Sequence, residues 1–263
     1  MINNKSSNYA LISGASSGIG LELARLFAAD GIPLILVARR QDRLETLQTE
    51  LSALVTVKIF ACDLSDAIAR TQLLDHIAEQ ELKIDYLVNN AGCGQFGAIA
   101  DNDWSTTNDM LQLNMVATSH FCRNLLPAMK DRAFGRILNV ASTAAFQPGP
   151  GMAAYFASKA YLLSYSEALA YELQQSGVTA TCLCPGATQT EFFSQAVMED
   201  SGLVKGKQLP AAVHVALQGY QAMNQGKVLT IHGLFNRLRI FSLRTAPRGL
   251  ATAITAAILK RES

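Results

Sequence analysis

"YALISGASSGIGLELARLFAAD", residues 9–30, is the stretch that sets the architecture. A short apolar run reads as a strand, Gly14, Gly18 and Gly20 punctuate a turn, and from about Ile19 the apolar period becomes helical. Glycine at a strand-to-helix turn lets backbone approach a pyrophosphate, and the first helical turn offers unpaired N–H groups with partial positive charge. The order is G-x-x-x-G-x-G, where the commoner fingerprint has G-x-G-x-x-G, so a plain tight turn is the competing reading. Placement after a strand and before a helix favours a dinucleotide.

Working outward, "IPLILVA" (32–38), "VTVKIFA" (55–61), "IDYLVN" (84–89), "GRILNVAS" (135–142) and "VTATCLC" (178–184) alternate with stretches of helical period. That pattern predicts an α/β chain: one doubly wound Rossmann domain over residues 1–263, its mostly parallel central sheet flanked by helices on both faces. Gly31, Gly135 and Gly177 stand before strands as helix stops. Residues 187–225 are expected to form a substrate lid, and 236–263 a basic, apolar C-terminal tail.

Twenty-two Lys and Arg against 21 Asp and Glu give a net charge of +1, which favours a small-molecule partner over nucleic acid. The charge is uneven: from Lys227 onward it is +6, and before it −5. With Leu238, Ile240, Phe241 and Leu243 between its cations, the tail suits either peripheral contact with an anionic membrane or closure over a substrate pocket or subunit contact. The start lacks a basic region followed by a long apolar run, and "LATAITAAIL" is too short to span a bilayer. Five cysteines cannot all pair, so reduced thiols in a cytoplasmic protein are expected. His76, His120, His214 and His232 lack ligand spacing, and no metal is expected.

At the end of "LILVA", where an acid usually meets the ribose 2′-hydroxyl of NAD, the chain has Arg39 and Arg40. A guanidinium suits a 2′-phosphate, which points to NADP(H) ahead of NAD(H), with Arg39 the stronger candidate. In "AAYFASKAY" (153–161), Tyr155 and Lys159 are spaced to share one helix face, as a proton donor and its electrostatic partner would be. A lysine charge about 4 Å away contributes roughly 4 kcal/mol at an effective dielectric of 20, enough to lower a phenol's pKa by about three units before desolvation opposes it.

These motifs in this order resemble the short-chain dehydrogenase/reductases, from Tyr9 to about residue 235. "SGASSGIG" resembles the family's T-G-x-x-x-G-x-G turn, Ser13 replacing the threonine, and implies that Gly14, Ser16, Ser17, Gly18, Ile19 and Gly20 meet the cofactor. "CDLS" implies Asp63 and Leu64 at the adenine, and "NNAG" implies Asn90, Ala91 and Gly92 beneath the cofactor, Asn90 close to the ribose. "PGATQT" implies Pro185 and Gly186 in a shaping turn, a backbone contact at Thr188, and Thr190 at the nicotinamide amide. The catalytic group implied is Asn114, Ser142, Tyr155 and Lys159. Tyr155 would be the acid/base, Ser142 would hold the substrate oxygen, Lys159 would also bind ribose, and Asn114 would hold a proton-passing water. The resemblance implies an NADPH-dependent reductase of a ketone or aldehyde, with an acyl-chain or other lipophilic substrate in view, and a homodimer or homotetramer. The alternatives are an NAD-dependent secondary-alcohol dehydrogenase and a non-catalytic dinucleotide-binding redox sensor.

Overall fold

The computed structural model describes residues 8–196, 202, 204, 206, 208–243 and 245–260. Parts of the expected lid (197–201, 203, 205 and 207) and tail (244 and 261–263) lie outside the described residues.

Strands β1 (Tyr9–Ser13), β2 (Leu34–Ala38), β3 (Val57–Ala61), β4 (Ile84–Asn89), β5 (Gly135–Val140), β6 (Val178–Cys184) and β7 (Leu229–Ile231) form one sheet. Its order is β3-β2-β1-β4-β5-β6-β7, and each neighbouring pair is parallel. The sequence announces the first six strands; β7 has only three residues and is half-buried, too little for a pattern.

The helices are α1 (Gly18–Ala29), α2 (Gln41–Leu51), α3 (Ala67–Glu79), α4 (Trp104–Leu111), α5 (Thr118–Asp131), α6 (Ala153–Glu172), α7 (Phe192–Gln195), α8 (Ala212–Asn224), α9 (Leu234–Leu243) and α10 (Arg248–Leu259). A π-helical turn, Gln112–Ala117, joins α4 to α5, and a 3-10 turn, Thr143–Phe146, precedes α6.

Alternate strand residues face opposite sides, so continuous apolar strands feed two cores. Ala10, Ile12, Leu36 and Val88 pack with Phe27 of α1, Leu44 of α2 and Met223 of α8. Leu11, Ile35, Val37 and Leu87 pack with Leu73 of α3, Phe121 of α5 and Leu169 of α6 on the other face. The order reverses between β1 and β4, and a ligand crevice opens beyond the carboxyl ends of strands at such a point.

Two expectations change. The second half of the expected lid is α8, whose Val215, Ala216, Tyr220 and Met223 are core residues packed with α1. Gly135 is not a left-handed helix stop: Ala133 takes that conformation (φ 50°), while Gly135 opens β5. Glycine is required there for another reason, since a Cβ would lie 2.8 Å from Met129 Sδ.

Candidate active site

The turn after β1 is built around absent side chains. A Cβ on Gly14, which sits at φ 66°, would lie 2.8 Å from Asn90 Nδ2, and one on Gly20 would collide with the Gly14 carbonyl. Asn90 takes that space, donating from Nδ2 to the carbonyls of Ser13 (3.0 Å) and Gly14 (3.1 Å). The Ser13 hydroxyl accepts from the N–H groups of Asn90 and Ala91, both at 3.0 Å, and donates to the Val88 carbonyl at 3.2 Å. Those bonds explain why a hydroxyl is needed at residue 13, and they clamp the turn to the end of β4.

One cavity of about 620 Å³ runs from this turn to the C-terminal helices. Every residue expected at the site lines it except Gly20 and Asn114: Gly14, Ser16, Ser17, Gly18, Ile19, Arg39, Arg40, Asp63, Leu64, Asn90, Ala91, Gly92, Ser142, Tyr155, Lys159, Pro185, Gly186, Thr188 and Thr190. Gly20 serves close packing, and Asn114 is buried behind the wall. The Thr188 hydroxyl turns back onto the Gly186 carbonyl at 3.0 Å, in keeping with a backbone role at that position.

The tandem arginines do different things. Arg40 donates to the hydroxyls of Ser16 (3.1 Å) and Ser17 (3.0 Å) and to Glu191 Oε2 at 2.6 Å. Arg43 holds the other oxygen of Glu191 at 2.5 Å, and the two cations keep that carboxyl below the usual carboxylate range, Arg40 contributing first. This ties the segment after β6 across the mouth of the glycine turn. Among the described residues Arg39 meets one acid, Asp63, at 3.8 Å and largely exposed, a contact worth about 0–1 kcal/mol. Its guanidinium is therefore available at the rim. Asp63 in turn accepts from the backbone and hydroxyl of Ser65 at 2.9 and 2.7 Å, holding the turn after β3 in place.

Tyr155 and Lys159 lie in the first turns of α6, both buried. A buried relay, Asn89 to Asn139 and Asn139 to Ser166, each bond 2.9 Å, ties α6 to β5 and β4. Ser142, just beyond β5, caps the 3-10 turn by accepting from Ala144 N–H at 3.1 Å, and its hydroxyl lies 3.5 Å from the Pro185 carbonyl and close to Tyr155. Lys159 Nζ donates to the Val140 carbonyl at 3.0 Å, 5.8 Å from the centre of the Tyr155 ring.

Asn114 stands in the π-helical turn and spends its side chain on protein. Its Nδ2 donates to Cys93 O and Ser158 Oγ, and its Oδ1 accepts from Cys93 N–H, all at 3.0 Å. The water-holding role expected of it has no free side-chain donor to rest on. Asn114 instead fixes the Gly92–Cys93 backbone beside Lys159, where a Cβ on Gly92 would lie 3.1 Å from Asn114 Oδ1 and 3.3 Å from Lys159 Nζ. Cys93 does not line the cavity; it packs against the apolar cluster that includes Met110 and Met152, and burial pushes its thiol up.

Burial dominates the electrostatics. It pushes the Tyr155 phenol up, the nearby Ser142 hydroxyl opposing it only in part, and pushes Lys159 down to about 8. Desolvation, set aside in the expected lowering by lysine, dominates here, because it penalises both charged forms. Near neutrality Tyr155 is a protonated acid and Lys159 a cation.

This has a consequence for stability. Below about 8 both folded and unfolded chains hold the Lys159 proton, and burying the ammonium opposes folding; between about 8 and the ordinary 10.5 only the unfolded chain holds it, so the penalty fades as pH rises. Its full size is on the order of 3 kcal/mol. Lys159→Met is expected to resist urea better than wild type at pH 7, with a gap that narrows toward pH 10. A gap that does not change with pH would count against the burial argument.

The model of the short chain dehydrogenase family matches residues 8–200. This chain is a short-chain dehydrogenase. It is 34% identical over 244 residues to a sulfoacetaldehyde reductase of Chromohalobacter salexigens, covering 89% of this chain and 94% of that one. Among solved structures, a short-chain dehydrogenase from Sphingobium yanoikuyae in complex with NADPH superposes with a TM-score of 0.83 at 29% identity, covering 92% of this chain and 94% of that one. The bulky-bulky ketone specific alcohol dehydrogenase from Comamonas testosteroni gives 0.78 at 27%, covering 92% and 93%. The family makes this chain an NAD(P)-dependent oxidoreductase acting on CH–OH or C=O groups.

In this short-chain dehydrogenase the far wall of the cavity comes from residues that carry no motif. Phe192 of α7 lies against Tyr155 with ring centres 5.2 Å apart, and a Cβ on Gly94 would be 2.7 Å from its ring. The C-terminal tail folds over the cavity, Asn236 of α9 abutting Gly186, and Ala251, Ile254 and Leu259 of α10 forming an apolar wall. Trp104 is 71% exposed and lies outside the cavity. Glu191, Asn236 and Arg239 escaped the sequence reading because their significance lies in partners or walls far along the chain; Glu191 and Arg40 are 151 residues apart. No group of His, Cys, Asp and Glu that could hold a metal occurs among the described residues, and no described helix is long and apolar enough to cross a membrane.

Proposed function

We propose that this protein reduces a ketone or aldehyde to an alcohol with NADPH, using Tyr155 as acid. The observation that carries the reading is the continuous cavity joining the glycine turn and the weakly paired Arg39 at one end to Tyr155 and Ser142 at the other. The residues suit NADP(H). Glycines leave the backbone of the turn bare for a pyrophosphate, and Arg39, held only by a weak exposed contact with Asp63 among the described residues, can turn to a 2′-phosphate. Bound NADPH supplies the hydride. Ser142 holds the carbonyl oxygen beside Tyr155, whose retained proton passes to that oxygen as negative charge develops. Lys159, a cation throughout, stabilises the phenolate left behind until Tyr155 takes a proton from solvent. The apolar wall from Phe192, Ile254 and Leu259 excludes water and suits a lipophilic carbonyl compound.

Purified protein should oxidise NADPH faster than NADH at equal concentration across ketones and aldehydes graded in chain length and ring size. Faster turnover of a secondary alcohol with NAD would favour the alternative dehydrogenase, and cofactor binding without turnover the redox sensor.

The reading extends to a homodimer through α5 and α6. Val116 of the π-helical turn and Ala157, Ala160, Tyr161 and Ser164 of α6 are exposed, and the Tyr161 hydroxyl meets that of Ser119 on α5 at 2.8 Å. Light scattering should give a mass of at least twice the 28.3 kDa chain. A strictly monomeric mass at micromolar concentration would remove this part.

A further inference from the structure

Arg239 is a cation in an apolar wall with no acid among the described residues to meet it. It projects from α9 into the cavity, and its Nε is buried without a hydrogen-bond partner among the described residues. No described carboxylate forms an ion pair with it, and burial alone pushes its guanidinium down. A buried guanidinium that lacks both a carboxylate and a saturated set of acceptors is an unbalanced feature of a fold unless something else supplies the oxygens.

Its position says what that something is. Asn236, one turn earlier on α9, abuts Gly186, and α9 packs against the 3-10 turn Thr143–Phe146 that starts beside Ser142. Arg239 therefore stands on the side of the cavity where a carbonyl compound would lie, with Leu243, Ala251 and Ile254 also lining the space. Gln147, just beyond the same 3-10 turn, lines this space too and carries a second buried, unpartnered polar atom, Oε1. An amide can present either its oxygen or its NH₂ group by a half-turn, so Gln147 can complement an anion that Arg239 binds.

We infer that Arg239 anchors an oxyanion on the substrate, so that the preferred substrates are carbonyl compounds bearing a carboxylate, sulfonate or phosphate separated from the carbonyl by an apolar spacer. This rests on the carbonyl-reductase reading for its turnover, but the anion site itself does not require catalysis. No covalent step is added; Arg239 is a specificity-determining residue that binds through charge and a two-pronged hydrogen bond.

The test pairs kinetics with binding. Wild type should reduce oxo-carboxylates of graded length with kcat/KM about 10- to 100-fold above their methyl esters, the range a charge-assisted hydrogen bond supports. Arg239→Leu should abolish that preference, mainly through KM, and leave the esters unchanged; Arg239→Lys should restore part of it. Independently, calorimetry should show hexanoate, hexanesulfonate or hexyl phosphate binding to wild type in preference to hexanamide, with the preference lost in Arg239→Leu. The three anions separate carboxylate, sulfonate and phosphate as the source. Equal kcat/KM for acids and esters, or equal loss of both in the variant, overturns the anchor and leaves the reductase reading standing. Charge-selective binding without turnover of any carbonyl supports the anchor and sinks the reductase reading instead.

Discussion

Replacing Tyr155 with Phe is expected to lower kcat for carbonyl reduction by about a hundred- to ten-thousandfold, the span that positioned acid–base groups contribute. Phenylalanine keeps the ring, so the packing with Phe156 and Phe192 survives and NADPH binding should stay within a few-fold of wild type. The hydroxyl lies beside Ser142 on the cavity wall, buried in the same chamber as Lys159, and it is protonated near neutrality. Stopped-flow measurement of NADPH oxidation separates the two effects. Retained turnover in the variant would move the proton donor elsewhere and sink the assignment of Tyr155. Equal loss of cofactor binding would show instead that the ring substitution had disturbed the site.

The second large effect is expected at Arg39. Arg39→Ala should weaken NADPH binding by about 10- to 100-fold and leave NADH nearly unchanged, since only the former carries the 2′-phosphate and a hydrogen bond between charged groups is worth roughly 1.5–3 kcal/mol. Arg40 gives a contrasting pattern. It braces Ser16 and Ser17 and meets Glu191, so Arg40→Ala should weaken both cofactors together by loosening the turn. Fluorescence titration with each cofactor distinguishes the two arginines. If Arg39→Ala weakened both cofactors alike, the 2′-phosphate reading would be wrong.

How much was legible depends on how far along the chain the partners lie. Strand, glycine turn and α1 are contiguous, so residues 9–30 carry the cradle in their own order. Tyr155 and Lys159 occupy one helix face, which the helical repeat alone predicts. Local spacing is silent about environment, however. The same four-residue interval suggested a phenol lowered by its lysine, whereas the fold buries both groups and drives the phenol the other way. Asn114 was legible as a member of the set, yet its donors and acceptor are taken by Cys93 and Ser158, residues brought to it by the packing of α6 on the π-helical turn. The tail was legible as basic and apolar, and its two destinations were left open; the fold closes α9 and α10 over the cavity.

By itself the sequence determined the α/β alternation, the dinucleotide turn and the order of the catalytic motifs, because periodicity, glycine placement and short motifs are properties of neighbouring residues. Only the tertiary structure decided which of two adjacent arginines is the more weakly held, that Glu191 straps the mouth of the turn, and that Arg239 lines the cavity without a described acid beside it. The physical reason is the same in each case. Desolvation and charge pairing sum over everything within a few ångströms, and in a doubly wound sheet those neighbours come from segments more than a hundred residues apart.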